Sequence, residues 1–91
     1  FKVMVIRTDW PGATAREVEQ KVTERIERKL QELEGLETVR SYSRPGVSQV
    51  FVLIDGRVPA ARVPELFYQV RKKVGDIRNT LPEGVRGPFF N

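Results

Sequence analysis

Residues 8 to 18 read Thr-Asp-Trp-Pro-Gly-Ala-Thr-Ala-Arg-Glu-Val, and they oblige the chain to pass from a strand into a helix within a few residues. Proline presets φ at one corner position and glycine tolerates positive φ at the next, so Pro11-Gly12 is turn chemistry. Thr14 and Glu17 stand three apart, the spacing of a capping box, in which each side chain satisfies a backbone amide left open at the helix start. Such a corner restricts the chain to folds that begin with a β-α unit.

The pattern on either side agrees. Residues 2 to 8 read as a strand, with Val3, Met4, Val5 and Ile6 apolar on both pleat faces. Residues 15 to 34 read as a helix whose stripe is Val18, Val22, Ile26, Leu30 and Leu33, with Gly35 placed to stop it in a left-handed conformation. Residues 36 to 44, with Leu36, Val39 and Tyr42, form a second strand, and Val47 to Asp55 a third. The turn Ser43-Arg44-Pro45-Gly46 between them implies an antiparallel hairpin. Residues 64 to 81 read as a second helix burying Leu66, Val70, Val74, Ile77 and Leu81, with Pro64 in its first turn. Val85 to Phe90 is an extended tail or partial fourth strand. The expected fold is α+β: a ferredoxin-like β-α-β-β-α(β) sandwich with two helices on one face of an antiparallel or mixed sheet.

Two helices cover only one sheet face. Met4, Ile6, Phe51 and Leu53 are expected to face them, with Val3, Val5, Val50, Val52 and Ile54 on the other side. An uncovered apolar face marks a partner surface or a ligand cleft. The strand preference of β-branched residues accounts for the same pattern without either.

Composition removes whole classes of chemistry. The chain has no cysteine and no histidine, which excludes thiol nucleophiles, disulfides and every Ser-His or Cys-His arrangement. No catalytic residue, metal site or cofactor is expected. The net charge of +4 is spread among mixed signs, the mark of a solvated surface rather than a nucleic-acid footprint. Apolar runs fall far short of the ~20 residues that span a bilayer. Residues 1–91 are expected to form a single subdomain excised from a longer protein, because adjacent phenylalanines at a natural terminus would fray into water.

The wording of the corner carries a resemblance. Asp9-Trp10-Pro11-Gly12-Ala13-Thr14-Ala15-Arg16-Glu17-Val18-Glu19 resembles the Y/W-P-G-A-[ST]-x-x-x-V-E signature of resistance-nodulation-cell-division (RND) efflux transporters, which opens their first periplasmic porter subdomain. The similarity continues through Leu36 to Gly46, Tyr68 to Lys73 and Leu81 to Val85, in register across nearly the whole chain. It implies part of a proton-driven exporter of the Gram-negative inner membrane, with this segment periplasmic. Implied partners are the remaining porter and transmembrane domains of the same chain, two further copies in a homotrimer, a periplasmic adaptor and an outer-membrane channel. Implied cargo is drugs or other amphipathic compounds.

In that family the second helix of this subdomain lines the central pore. Tyr68, Lys72, Asp76 and Asn79, opposite the core stripe, are the candidate pore or trimer contacts. The first and third strands contribute to the drug path, which nominates Val5, Arg7, Ser48 and Val50 as outward candidates. Arg7 and the two valines depart from the small polar residues frequent there, and Arg7 suits an anionic or amphipathic substrate. Trp10 is expected to pack on a neighbouring subdomain. Two rivals share the fold. An RNA-binding module would stack bases on Tyr42 and Phe51, but lacks its basic-aromatic motif here. An acylphosphatase-type enzyme would need a glycine-bracketed arginine loop where Trp10-Pro11-Gly12 stands.

Overall fold

The computed structural model describes residues 3–91, with Thr38 and Val39 described through their backbone alone. Lys2 in the first expected strand, and the Val39 side chain in the second, lie outside the described residues. Strand β1 (Val3–Asp9) leads through the Pro11-Gly12 turn into helix α1 (15–30), and strands β2 (Leu36–Arg44) and β3 (Val47–Ile54) form the hairpin. Helix α2 (Val63–Asp76) follows, flanked by single 3₁₀ turns at Ala60–Arg62 and Arg78–Thr80, and strand β4 (Arg86–Phe90) closes the chain. The sheet runs β2-β3-β1-β4 with every neighbouring pair antiparallel. This is the ferredoxin-like α+β sandwich, and the tail is a true fourth strand beside β1.

The capping box forms as the spacing requires. The Glu17 amide donates to Thr14 Oγ1 at 3.1 Å and the Thr14 amide donates to Glu17 Oε1 at 3.0 Å. Those bonds hold the Glu17 carboxyl below its ordinary pKa, the backbone amide of Thr14 being the larger cause. Helix α1 then departs from a uniform α pattern. Between α-helical segments Ala15–Val18 and Glu24–Leu30, residues Glu19–Thr23 form a π turn, the wider turn that inserts an extra residue into a helix. It sets consecutive residues Val22 and Thr23 against the sheet, at 0% and 1% exposure. The Thr23 hydroxyl lies 2.8 Å from Ser43 Oγ and 2.7 Å from Ser48 Oγ, which stitches the helix to the β2–β3 hairpin. The helix ends at Leu30, four residues earlier than expected, and Leu33 packs on the core from the turn beyond it. Gly35 has φ +92°, and a Cβ there would meet Leu66 at 3.1 Å, so only glycine suits both the backbone and the close approach of α2.

One core fills the space between the layers: Met4, Ile6, Val22, Ile26, Leu30, Val50, Val52, Val70 and Val74. Full burial of such a side chain contributes about 2 kcal/mol. Phe67, Val85 and Phe90 pack at its edge, and the partly buried Trp10 packs there too. Leu66 and Ile77 of the expected α2 stripe are only partly covered, and Leu81 is buried from beyond the helix.

The phase of β3 differs from expectation. Antiparallel Cα partners share a sheet face, and the register pairs Met4 with Val52, Ile6 with Val50 and Thr8 with Ser48. Val50, Val52 and Ile54 therefore lie beneath the helices, while Phe51 and Leu53 belong to the other face with Val3 and Val5. Replacing Thr23 by valine keeps the shape and removes the hydroxyl that Ser43 and Ser48 share. Stability to urea is expected to fall by about 1–3 kcal/mol, with most of it retained in Thr23→Ser; an unchanged midpoint for Thr23→Val would contradict the stitch.

Candidate functional site

Period-2 alternation gives this sheet one buried face and one bare face. Beyond the Val3–Leu53 pair, the register sets three rows on the bare face. Arg40 lies beside Phe51 and Val5; Tyr42 beside Gln49, Arg7 and Phe89; Arg44 beside Val47, Asp9 and Arg86. Val3, Tyr42 and Phe89 are each about half exposed, at 47%, 51% and 44%. The Arg7 guanidinium sits 5.3 Å from the centre of the Phe89 ring and donates to Asp9 Oδ2 at 3.4 Å. Tyr42 meets Phe51 edge to face at 5.7 Å. Aromatic and charged groups are thus held in place on an open surface.

Of the sequence-derived candidates for the substrate path, Val5 and Arg7 stand on this bare face. Ser48 and Val50 do not: both are fully buried, Val50 in the core opposite Ile6 and Ser48 bonded to Thr23. Gln49 and Phe51 occupy the outward positions instead. Counting back from the hairpin would have found them, since the tight Pro45-Gly46 turn pairs Arg44 with Val47 and so puts Gln49 opposite Tyr42.

The second candidate surface is the outer side of α2. Tyr68, Lys72, Asp76 and Asn79 are all exposed; the first three share the outer side of α2 at helical spacing, and Asn79 follows in the 3₁₀ turn. Lys72 Nζ rests 5.9 Å from the Tyr68 ring centre. None of the four serves the core. The two helices are tied to each other where Glu32, which faces Lys29 at 3.4 Å, accepts from Lys73 at 3.1 Å, and Arg25 donates to the Thr80 carbonyl. The Lys73 bond, with Lys29 second, holds the Glu32 carboxyl below its ordinary pKa.

Where α1 ends and α2 begins, an open groove of about 540 Å³ is lined by Leu33, Gly35, Asp55, Val58, Leu66 and Gln69. Arg57 closes on Asp55 through side-chain bonds of 3.1 and 2.7 Å and a backbone bond of 2.9 Å. These, the side-chain bonds first, lower the Asp55 pKa to about 2. Among the described residues no three His, Cys, Asp or Glu side chains converge where they could hold a metal ion, and no helix is long and apolar enough to cross a membrane. Met4, the sole methionine, is 4% exposed beneath the helices.

Comparison with known proteins places these surfaces in context. The sequence profile of the AcrB/AcrD/AcrF family matches residues 1–91. The cation efflux system protein CzcA of Alcaligenes sp. is 38% identical over 80 residues, 88% of this chain and 7% of the relative. The nickel and cobalt resistance protein CnrA of Cupriavidus metallidurans is 36% identical over 84 residues, 92% of this chain and 8% of the relative. A crystal structure of a heavy metal efflux pump superposes with a TM-score of 0.70 at 27% identity, covering 99% of this chain and 9% of that one. The chain therefore spans less than a tenth of the length of these relatives.

Asp55 supplies a pH test. Its pKa is depressed in the folded state, so its contribution to stability is complete above its ordinary value of 3.8 and is lost as pH falls toward about 2. Asp55→Asn should flatten the decline in stability between pH 4 and 2, followed by urea unfolding at a series of pH values. A decline as steep as in the parent would show that the Arg57 clasp contributes nothing.

Proposed function

The chain belongs to the AcrB/AcrD/AcrF family of RND transporters, and from that premise we propose that it is the first periplasmic porter subdomain of a proton-driven efflux pump whose cargo is a divalent metal cation. The observation that carries the cargo is the set of relatives, whose names specify cation, cobalt-zinc-cadmium and nickel-cobalt resistance. Nothing among them supports the drugs expected from the sequence resemblance. The whole pump sits in a Gram-negative inner membrane, as a homotrimer joined to a periplasmic adaptor and an outer-membrane channel, with residues 1–91 on the periplasmic side.

The subdomain's part in this is mechanical rather than catalytic. A sandwich with one continuous core moves as a unit, and rigid-body displacement against its neighbours opens and closes a path. Cobalt, nickel, zinc and cadmium ions prefer imidazole, thiolate and carboxylate donors. This segment has neither histidine nor cysteine, its methionine is buried, and among the described residues its carboxylates nowhere converge in threes to hold an ion. It therefore serves as wall and lever, with Val5 and Arg7 on the path side, while ligands for the ion come from elsewhere in the pump. The Arg7 charge repels a cation from the sheet and favours passage beyond it. On the other side, Tyr68, Lys72, Asp76 and Asn79 meet their counterparts around the threefold axis.

Two experiments test this. Expressed in a metal-sensitive strain, the full-length transporter should raise tolerance to cobalt, zinc, cadmium or nickel at least several-fold. Tolerance to amphipathic drugs with none to metals would overturn the cargo. In the same protein, Asn79→Cys should give oxidant-dependent disulfides between copies, run as dimers on non-reducing gels. Monomer alone under full oxidation would remove α2 from the trimer axis.

A further inference from the structure

The bare sheet face is more than an apolar wall. Three of its rows carry Arg7, Arg40, Arg44 and Arg86 against one carboxylate, Asp9, and Asp9 is engaged by Arg7. Interleaved with them are Tyr42, Phe51, Phe89, Val5 and Val47. No lysine occurs in these rows. Arginine with tyrosine and phenylalanine, and without lysine, is the composition of the buried centre of a protein–protein interface. Phosphate-backbone contacts draw on lysine and arginine alike. The anchor is also ordered before any partner arrives: Tyr42 meets Phe51 edge to face, so docking it freezes few additional rotamers.

We propose that this face docks a carboxylate-bearing surface belonging to the remainder of the same transporter chain, with Arg40 and Arg44 pairing to Asp or Glu side chains there and Tyr42 between them as the apolar anchor. The proposal rests on the porter-subdomain reading above. Charge selects the occupant, since a face with arginines at its rim and a single internally engaged acid is complementary to an acidic surface, and guanidinium matches carboxylate in paired hydrogen bonds. Chain length agrees: more than nine-tenths of each matched relative lies outside the aligned segment. Arginines on an edge strand such as β2 also discourage strand-to-strand aggregation, but that role needs neither the neighbouring aromatics nor the exposed Tyr42.

The test uses the full-length transporter with Tyr42 replaced by a photoreactive benzoylphenylalanine. Irradiation followed by peptide mass spectrometry should give an intrachain cross-link to a peptide containing Asp or Glu. A cross-link to lipid, nucleic acid, another protein or another copy, or no cross-link at all, overturns the proposal. Alongside it, Arg40→Glu/Arg44→Glu should lower the cross-link yield at least five-fold, whereas Arg40→Lys/Arg44→Lys keeps most of it; equal yields in both would show that charge does not select the occupant. A pump that exports metal without the cross-link defeats the docking surface alone, and one that cross-links as expected without conferring metal tolerance defeats the cargo alone.

Discussion

The antiparallel register of β1 on β3 is the constraint on which the rest of the molecule depends. Pairing Met4 with Val52, Ile6 with Val50 and Thr8 with Ser48 puts one set of side chains under the helices and commits the alternate set to the outside. A slip of one residue would exchange the two sets entirely. It would bury Gln49 and expose Val50 and Val52 if β3 moved, or bury Arg7 and expose Met4 and Ile6 if β1 moved. The cost of burying an unpaired guanidinium is several kcal/mol, so the two inner strands define the register largely by what they cannot bury. The hydroxyl stitch from Thr23 to Ser43 and Ser48 pins it again from the helix side.

That single choice separates stability from function. Everything facing inward is core, and a subdomain with one shared core transmits displacement rather than absorbing it. What faces outward is then free for contacts: the arginine-aromatic grid on the sheet and the Tyr68–Lys72–Asp76 side of α2. The two lie on opposite layers of the sandwich. A movement imposed on one is carried to the other as a rigid body, which is the geometry a moving wall needs. The Lys73–Glu32 ion pair between the helices, with the local Lys29–Glu32 pair beside it, stiffens the helical layer; being exposed, each contributes modestly.

Much of the fold was legible because local signals were strong and agreed with one another. Thr14 and Glu17 form the capping box they spell, Gly35 takes the left-handed conformation, and Val18, Val22, Ile26 and Leu30 all reach the interior. The π turn was not legible. Its cause is tertiary, a threonine finding two serines about twenty and twenty-five residues away. The face of β3 was misread because Val50, Phe51, Val52, Leu53 and Ile54 are all apolar, so alternation carries no phase information within that run. The phase resides instead in the polar residues: Gln49 pairs with Arg7 outside, whereas Ser48 is buried only because Thr23 answers it. The same misreading placed Ser48 and Val50 on the substrate path. The α2 stripe was visible as helical spacing, but spacing alone could not tell an axis contact from a solvated face.

Scanning β3 in the full-length transporter tests the division of labour most directly. Residues 48 to 53 are replaced one at a time by alanine, and folded abundance and metal tolerance are measured for each variant. Ser48, Val50 and Val52 are expected to reduce abundance, with tolerance falling in proportion. Gln49 and Phe51 are expected to leave abundance near normal and to lower tolerance per molecule. If tolerance per molecule stayed constant across all six positions, or if odd and even positions lost abundance equally, the assignment of function to the bare face would be wrong.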